Sequence, residues 1–257
     1  MAPRLIPAIT TAQWWNGKWR ASNNIYRLSA EIENRPFGLV TRNQRDMLPK
    51  AGNIGNGTTN DMEIISLTTK NFQRVVEIAA RAIQRGNIIA APTDTVYGLL
   101  ANAANENAVK KIYAAKNRPA EKPMPIFVKN MAMAKKLALI LPKQQELLET
   151  KWPGKFTAVL RRNPNAKIFG VDDKTIALRI PFNRFINSLL ETLNLPVTGT
   201  SANISGKPSA TKIDDVINQF AGAAFCPNLI INAGDLPKSG ASTIVDLTGN
   251  EQKIIRR

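Results

Sequence analysis

Basic side chains that could hold an anion are concentrated just after residue 115. Lys116 and Arg118 stand two residues apart immediately before Pro119, and Lys122 follows. In extended backbone, Lys116 and Arg118 would point to the same side and could clamp a phosphate, with bidentate geometry from the arginine. The alternative interpretation is that these cations only complement the negative end of a helix that ends at the proline.

Hydroxyl groups follow an apolar run that ends at Pro92. Thr93 and Thr95 would project to the same side if the backbone stays extended. They would lie at the carboxyl end of a buried strand, where open α/β sheets bind ligands. The alternative is a strand-to-helix turn in which Asp94 caps the helix and Gly98 permits tight packing.

Two further segments combine small residues with hydroxyl groups. In residues 198–209, glycines and hydroxyl residues are concentrated in a turn that follows a predicted strand. Backbone amides in this turn could bind anionic oxygens. The order of residues is not that of a P-loop. Within it, Asn203 could bind a base or a ribose, or could simply occupy a left-handed turn. Residues 239–247 lead into a predicted strand, and Arg256 lies at the end of the chain. Taken alone, that last segment is better explained as an ordinary hairpin with a frayed tail.

Composition excludes several classes of chemistry. The 257 residues contain no histidine and one cysteine, Cys226. Ser-His-Asp and Cys-His catalysis, histidine-ligated zinc, cysteine-cluster metal sites and internal disulfides are therefore excluded. The 35 lysines and arginines exceed the 19 aspartates and glutamates, for a net charge of +16. Such a charge favours an anionic partner, or else only keeps the protein soluble. No run approaches the roughly 20 apolar residues of a membrane span, so no membrane association is expected.

Helical and strand periodicities alternate along most of the chain. The spacing predicts a first helix that Thr69 caps and Gly86 ends. The other predicted helices are 105–115, 130–139, 142–150, 183–193 and 211–220. Strands are predicted at 87–92, 124–128, 156–160, 175–179, 195–200, 228–232 and 243–247, and residues 64–67 form a short apolar run. This alternation predicts an α/β fold with a twisted, mixed sheet.

Residues 1–62 differ from the rest of the chain. Apolar periodicity is poor there, and residues 51–60 are rich in glycine and asparagine. We predict that residues 1–62 are an N-terminal extension, flexible or targeting, and that residues 63–257 form the folded domain. A cytoplasmic location is expected, with organellar targeting by residues 1–62 as the second interpretation.

Six groups of residues in fixed order resemble the YrdC-like family of threonylcarbamoyl-AMP synthases. They are residues 86–99, 116–119 with 122–123, 152–154 with Thr157, 177–181, 200–203 with 205–206 and 208–209, and 242–246. The resemblance covers residues 63–257. It implies a twisted, mainly parallel sheet with surrounding helices and a basic concave cavity.

The resemblance also implies an activity. Members of the family are nucleotidyltransferases that make threonylcarbamoyl-AMP and pyrophosphate from L-threonine, bicarbonate and ATP, with Mg²⁺ accompanying the triphosphate and no metal site built from the protein. A tRNA threonylcarbamoyl transferase complex then receives the product for tRNA modification. The alternative is a module that binds tRNA or double-stranded RNA without catalysis.

Site residues follow from the same resemblance. Lys116 and Arg118 are implied to be catalytic. Residues implied to line the ATP site are Arg118, Lys122, Thr175, Ser201, Asn203, Ser209 and Arg256. Thr95, Arg179 and Ser242 are implied to hold threonine, with Arg179 pairing with its carboxylate. Members of the family often carry a polar residue at the position of Phe127.

Overall fold

The computed structural model describes residues 14–15, 18–19, 62–249 and 251–257. Near the start of the chain, strands β1 (Trp14–Trp15) and β2 (Lys18–Trp19) form an antiparallel pair. The rest of the extension predicted for residues 1–62 lies outside the described residues, except Met62. The boundary between extension and domain therefore stays a prediction.

A five-stranded sheet forms one half of the domain. Its strands are β3 (Glu63–Ser66), β4 (Ile89–Pro92), β5 (Tyr97–Leu100), β11 (Thr200–Ser201) and β12 (Leu229–Asn232). Their spatial order is β11-β5-β4-β12-β3. Strand β12 is parallel to both neighbours, whereas β5 is antiparallel to both β4 and β11. This sheet places the turn between β4 and β5 beside β11.

A seven-stranded sheet forms the other half. Its strands are β6 (Ile126–Phe127), β7 (Ala138–Leu139), β8 (Phe156–Arg162), β9 (Thr175–Arg179), β10 (Val197–Thr198), β13 (Thr243–Asp246) and β14 (Lys253–Arg256). The order is β10-β6-β9-β8-β13-β14, and β7 pairs with β8. Because β10 and β11 are separated by one residue, Gly199, the chain passes from one sheet to the other at that glycine.

Six helices lie in the described part of the chain. They are α1 (Phe72–Gln84), α2 (Glu106–Lys116), α3 (Met131–Leu137), α4 (Pro142–Lys151), α5 (Arg184–Leu193) and α6 (Ile213–Phe220). Asparagine side chains cap three of them. Asn105, Asn130 and Asn183 each accept a hydrogen bond from the backbone N–H three residues later, which satisfies a free donor of the first turn. None of the described helices has both the length and the apolar composition needed to cross a membrane.

Apolar side chains pack on both faces of the five-stranded sheet. Along β4, Ile89 and Ala91 join a cluster with the apolar faces of α1 and α5, while Ala90 joins a second cluster with α2 and α6. Alternate residues of a strand point to opposite faces, so a strand covered on both sides must be apolar throughout. A third cluster packs α3 and α4 against the seven-stranded sheet, through residues such as Leu160 and Leu178.

The predicted α/β fold with mixed sheets is confirmed, with corrections to its pairing. Among the described residues from Met62 onward, the strands form two sheets rather than one. Among the strands of these two sheets, four pairings are parallel and six are antiparallel, so the sheets are not mainly parallel. The strand predicted for 195–200 is two short strands, because Gly199 lies at the change of sheet.

Three local expectations were wrong. The turn before α1 is held by Thr68 and Asn71, whose side chains each accept from the other's backbone N–H, and not by Thr69. Residues after Asp94 form strand β5 instead of a helix, so Asp94 caps nothing. The end of the chain is not frayed, since β14 pairs with β13.

Candidate active site

A cavity of about 630 Å³ opens between the inner face of the seven-stranded sheet and the residues around β5 and β11. Alternate residues along its central strands face it. The strand residues of this sheet that line it are Phe127 of β6, Thr157 and Val159 of β8, Thr175, Ala177 and Arg179 of β9, Ile244 of β13 and Arg256 of β14. Intervening residues such as Ile176 and Leu178 point to the apolar cluster on the other face. Strand alternation thus separates a face that carries threonine and arginine side chains from the apolar cluster on the other face.

Three arginines supply the charge of the cavity. Arg118, Arg179 and Arg256 line it, and none of its lining residues is acidic. Arginine stays protonated and can bind carboxylate or phosphate in bidentate geometry. The cavity is therefore suited to an anionic ligand.

Arg179 is held rigidly by its neighbours. Its Nη2 donates to Asp94 Oδ2 at 2.6 Å, and its Nε donates to the carbonyl of Gly154 at 2.8 Å. Both partners of the ion pair are buried, with side-chain exposures of 4% for Arg179 and 7% for Asp94. Burial lowers the pKa of Arg179, and the negative charge of Asp94 opposes that shift. The Asp94 carboxylate also accepts from the N–H of Phe182, which fixes it in turn.

Hydroxyl groups form a second polar row. The Oγ1 atom of Thr157 lies 3.1 Å from the Oγ atom of Ser242. Arg256 donates from Nη2 to that Oγ at 3.2 Å and to the Ser242 carbonyl at 3.1 Å. The hairpin of β13 and β14 thereby brings the last strand of the chain to the cavity.

The turn between β4 and β5 brings two threonines together. The hydroxyl oxygens of Thr93 and Thr95 are 3.1 Å apart, although the backbone there bends instead of staying extended. The Thr93 oxygen also accepts from the N–H groups of Thr95 and Val96. A Cβ atom on Gly98 would lie 3.0 Å from the Thr93 methyl carbon and 3.3 Å from the carbonyl of Thr200. The predicted tight packing at Gly98 is confirmed.

Lys116 lies behind the cavity rather than on its surface. It is the last residue of α2, and Asn117 follows in the left-handed conformation, with φ of 47°. The backbone is therefore not extended, and Lys116 and Arg118 do not form the expected surface clamp. Lys116 is 2% exposed, and its Nζ donates to the carbonyls of Ser201 and Asn203, each at 2.6 Å. Burial, with a smaller contribution from the charge of Arg118, lowers its pKa to about 7.

Asn203 organises the loop that follows β11. Its Oδ1 accepts from the Ser201 hydroxyl and from Lys116 Nζ. Its Nδ2 donates to the carbonyls of Ile204 and Lys207. All polar atoms of this side chain thus have partners within the protein, and the residue holds the loop in place.

Arg118 and Lys122 have different positions. Arg118 lines the cavity while its Nε and Nη2 donate to the carbonyls of Lys122 and Pro123, which closes the turn after α2. Lys122 itself is exposed and does not line the cavity. Its predicted contact with ATP stays a prediction.

Eight of the eleven predicted site residues line this one cavity. They are Thr95, Arg118, Thr175, Arg179, Ser201, Ser209, Ser242 and Arg256. Lys116 and Asn203 lie directly behind Ser201, and Lys122 points elsewhere. The roles assigned to all of these residues stay predictions.

Thr93, Phe127 and Thr157, which the sequence analysis names without giving them a substrate, also line the cavity. Sequence reasoning missed the role of Asp94, which holds Arg179. The alternation of β8 could have identified Thr157, because it shares a face with Val159. Nothing in the local sequence indicates that Asp94 meets Arg179, since 85 positions separate them.

Within the described residues, no group of three or more histidine, cysteine, aspartate or glutamate side chains could hold a metal ion. A divalent cation in the cavity would depend on oxygen ligands from a bound phosphate.

A protein-family model, Sua5_yciO_yrdC, described as "Telomere recombination", matches residues 81–257. The chain belongs to this family. A Pyrococcus abyssi protein named "Threonylcarbamoyl-AMP synthase" is 39% identical over 189 residues, which are 72% of this chain and 54% of the relative. A Bacillus subtilis protein of the same name is 38% identical over 147 residues, or 56% of this chain and 42% of the relative. The chain spans about half the length of these curated relatives.

A solved structure of the same family has a similar fold. The crystal structure of P. abyssi Sua5 complexed with L-threonine matches with a TM-score of 0.68 and 36% identity. The match covers 76% of this chain and 57% of that chain. The family resemblance of the sequence is thus confirmed.

Proposed function

We propose that the protein is an L-threonylcarbamoyladenylate synthase, a nucleotidyltransferase that makes threonylcarbamoyl-AMP and pyrophosphate from L-threonine, bicarbonate and ATP. The observation that carries this proposal is the cavity in which three arginines and several hydroxyl groups converge without any carboxylate in the lining. The names of the two curated relatives and the L-threonine bound to P. abyssi Sua5 support the same activity.

The reaction needs positioning and positive charge more than a histidine base. The threonine amine attacks the carbon of bicarbonate, and water is lost as the carbamate forms. A carbamate oxygen then attacks the α-phosphorus of ATP, and pyrophosphate leaves. Every participant is anionic or zwitterionic, so fixed cations lower the barrier by stabilising the charge that develops on phosphate. Holding the reactants in one cavity raises their effective concentration.

We divide the lining residues of the cavity between the two larger substrates, threonine and ATP. We assign Arg179, Thr95 and Ser242 to threonine, with the Arg179 guanidinium on its carboxylate. The residues assigned to ATP are Arg118, Thr175, Ser201, Ser209 and Arg256. Mg²⁺ would enter with the triphosphate, because phosphate oxygens and water suffice as its ligands. Lys116 and Asn203 would act through the loop that carries Ser201.

The product would be consumed by a tRNA threonylcarbamoyl transferase complex, and a cytoplasmic location fits that role. The alternative, a module that binds tRNA or double-stranded RNA without catalysis, is less well supported. Both curated relatives carry the name of a synthase. A cavity of about 630 Å³ also suits small anions better than a duplex, which needs an extended surface.

One assay tests the proposal directly. Purified full-length protein is incubated with ATP, Mg²⁺, bicarbonate and labelled threonine, and both pyrophosphate and the labelled mixed anhydride are measured. Pyrophosphate release that requires threonine and bicarbonate is the expected result. ATP hydrolysis that does not depend on threonine, or no turnover at all, would refute the proposed function.

Arg118→Ala gives a residue-level test. Removing one preorganised cation should lower kcat by roughly 10²–10³-fold. Arg74→Ala is the matched control, because Arg74 is exposed on α1 and remote from the cavity lining. Urea unfolding of both variants checks that the turn closed by Arg118 has not unfolded the domain. An Arg118→Ala enzyme with normal turnover would contradict the assignment.

A further inference from the structure

An aromatic ring forms part of the wall of the cavity next to Arg179. Phe127 and Arg179 are paired residues of the parallel strands β6 and β9, so their side chains lie side by side on the face that lines the cavity. The guanidinium carbon of Arg179 lies 5.7 Å from the centroid of the Phe127 ring. This is within the range of a cation–π contact, which favours one arrangement of the pair.

Gly199 is what allows the ring to occupy this position. A Cβ atom at Gly199 would lie 2.4 Å, 2.6 Å and 2.8 Å from three carbons of the Phe127 ring. The φ angle of Gly199 is not in the left-handed region, so the glycine is required for space and not for backbone conformation. Its N–H donates to the carbonyl of Pro125 at 2.7 Å, which holds the glycine against β6.

The Arg179 end of the cavity thus joins a cation to an apolar surface. Phe127, Pro125 and Ala177 contribute the apolar part, while Arg179 is fixed by Asp94 and Gly154. An α-amino acid has the matching chemistry, because its carboxylate can pair with the guanidinium while its side chain meets the ring. Because the ring lies between Gly199 and Arg179, it also limits the size of that side chain.

We propose that Phe127, held in place by Gly199, determines which amino acid the site accepts. The ring would contact the methyl group of threonine and exclude side chains larger than that of threonine. This inference rests on the proposed function, since it assigns a specificity determinant to the amino-acid end of the same site. It makes Phe127 a specificity residue for the amino acid and leaves the binding of ATP to other groups.

Two variants should change the size of the side chain that the site accepts in opposite directions. Phe127→Ala removes the wall, so the preference for threonine over serine in kcat/KM should fall by about 10-fold, and turnover of valine or leucine should appear. Gly199→Ala pushes the ring into the cavity, so threonine should lose more than serine. The KM for ATP should stay within about 2-fold of the wild-type value in Phe127→Ala. Phe225→Ala, at an exposed phenylalanine outside the cavity lining, is the matched control.

The outcomes separate this inference from the proposed function. A wild-type protein that forms a carbamoyl-adenylate from no amino acid would refute the proposed function. A wild-type protein that uses threonine, together with a Phe127→Ala variant of unchanged selectivity, would refute only the role of Phe127. Equal losses for every amino acid and for ATP would also refute it, because they indicate a general structural role. If Phe127→Ala does not fold, Phe127→Leu replaces it, and relaxed selectivity is again the expected result.

Discussion

Replacing Lys116 by methionine should remove a pH-dependent contribution to the stability of the protein. The ammonium group is buried at the end of α2, where it donates to the carbonyls of Ser201 and Asn203. Burial lowers its pKa from 10.5 to about 7, and the charge of Arg118 adds to the shift. Methionine has a similar length and shape but cannot titrate, so it isolates the effect of the proton.

The direction in which stability changes with pH depends on whether the native or the unfolded state holds the Lys116 proton. Between pH 7 and 10.5 the native Lys116 releases its proton while the unfolded chain keeps it. The unfolded state then binds more protons, so the free energy of unfolding rises with pH in this window. Each unit of pH can contribute about 1.4 kcal/mol, so a rise from pH 7 to pH 9 stabilises the wild type by at most about 3 kcal/mol. Below pH 7 both states are protonated and the contribution does not change.

Urea unfolding at several pH values between about 6 and about 9 measures this difference. The free energy of unfolding of the wild type minus that of Lys116→Met should be constant up to about pH 7 and then increase. The unpaired carbonyls in the variant add an offset that does not depend on pH. The free energy of unfolding of the wild type minus that of Lys122→Met, a variant of an exposed lysine, should show no such increase. A wild-type-minus-Lys116→Met difference that stays constant up to pH 9 would show that the buried lysine does not titrate, and the reasoning would be refuted.

Two further predictions concern the residues around the cavity. Asp94→Asn leaves the Arg179 charge without its buried counterion, so it should lower the free energy of unfolding in urea by about 3 kcal/mol. It should also raise the KM for threonine more than the KM for ATP. An equal rise in both KM values would contradict the assignment of Arg179 to threonine. Gly98→Ala should destabilise by about 1–3 kcal/mol, because a Cβ atom meets the side chain and carbonyl that already crowd this glycine. Gly240→Ala is its control, since nothing lies within 4 Å of a Cβ atom there, and equal unfolding midpoints for the two alanine variants would refute the packing argument.

Local periodicity predicted the elements that have one buried face. The apolar positions of α1 and α5 recur at helical spacing, and both helices pack on the five-stranded sheet through those positions. The predicted strand 175–179 is present with the same bounds. Strand β5 was missed because Gly98 and the threonines before it are typical of a turn, whereas pairing on both sides, with β4 and β11, stabilises a strand there. Backbone pairing with distant residues outweighed the local preference.

Residue types and their order along the chain determined the family, the helices and strands, the absence of imidazole chemistry and the excess of positive charge. The tertiary structure decided which side chains share the cavity and which only support it. Lys116 reaches Ser201 across 85 positions of the chain, and Arg179 reaches Asp94 across another 85. The Asp94–Arg179 contact depends on how the two sheets are placed against each other, and the Lys116–Ser201 contact depends on how α2 packs on the five-stranded sheet. The pattern along a strand or helix specifies only which of its faces is buried, and not what that face meets.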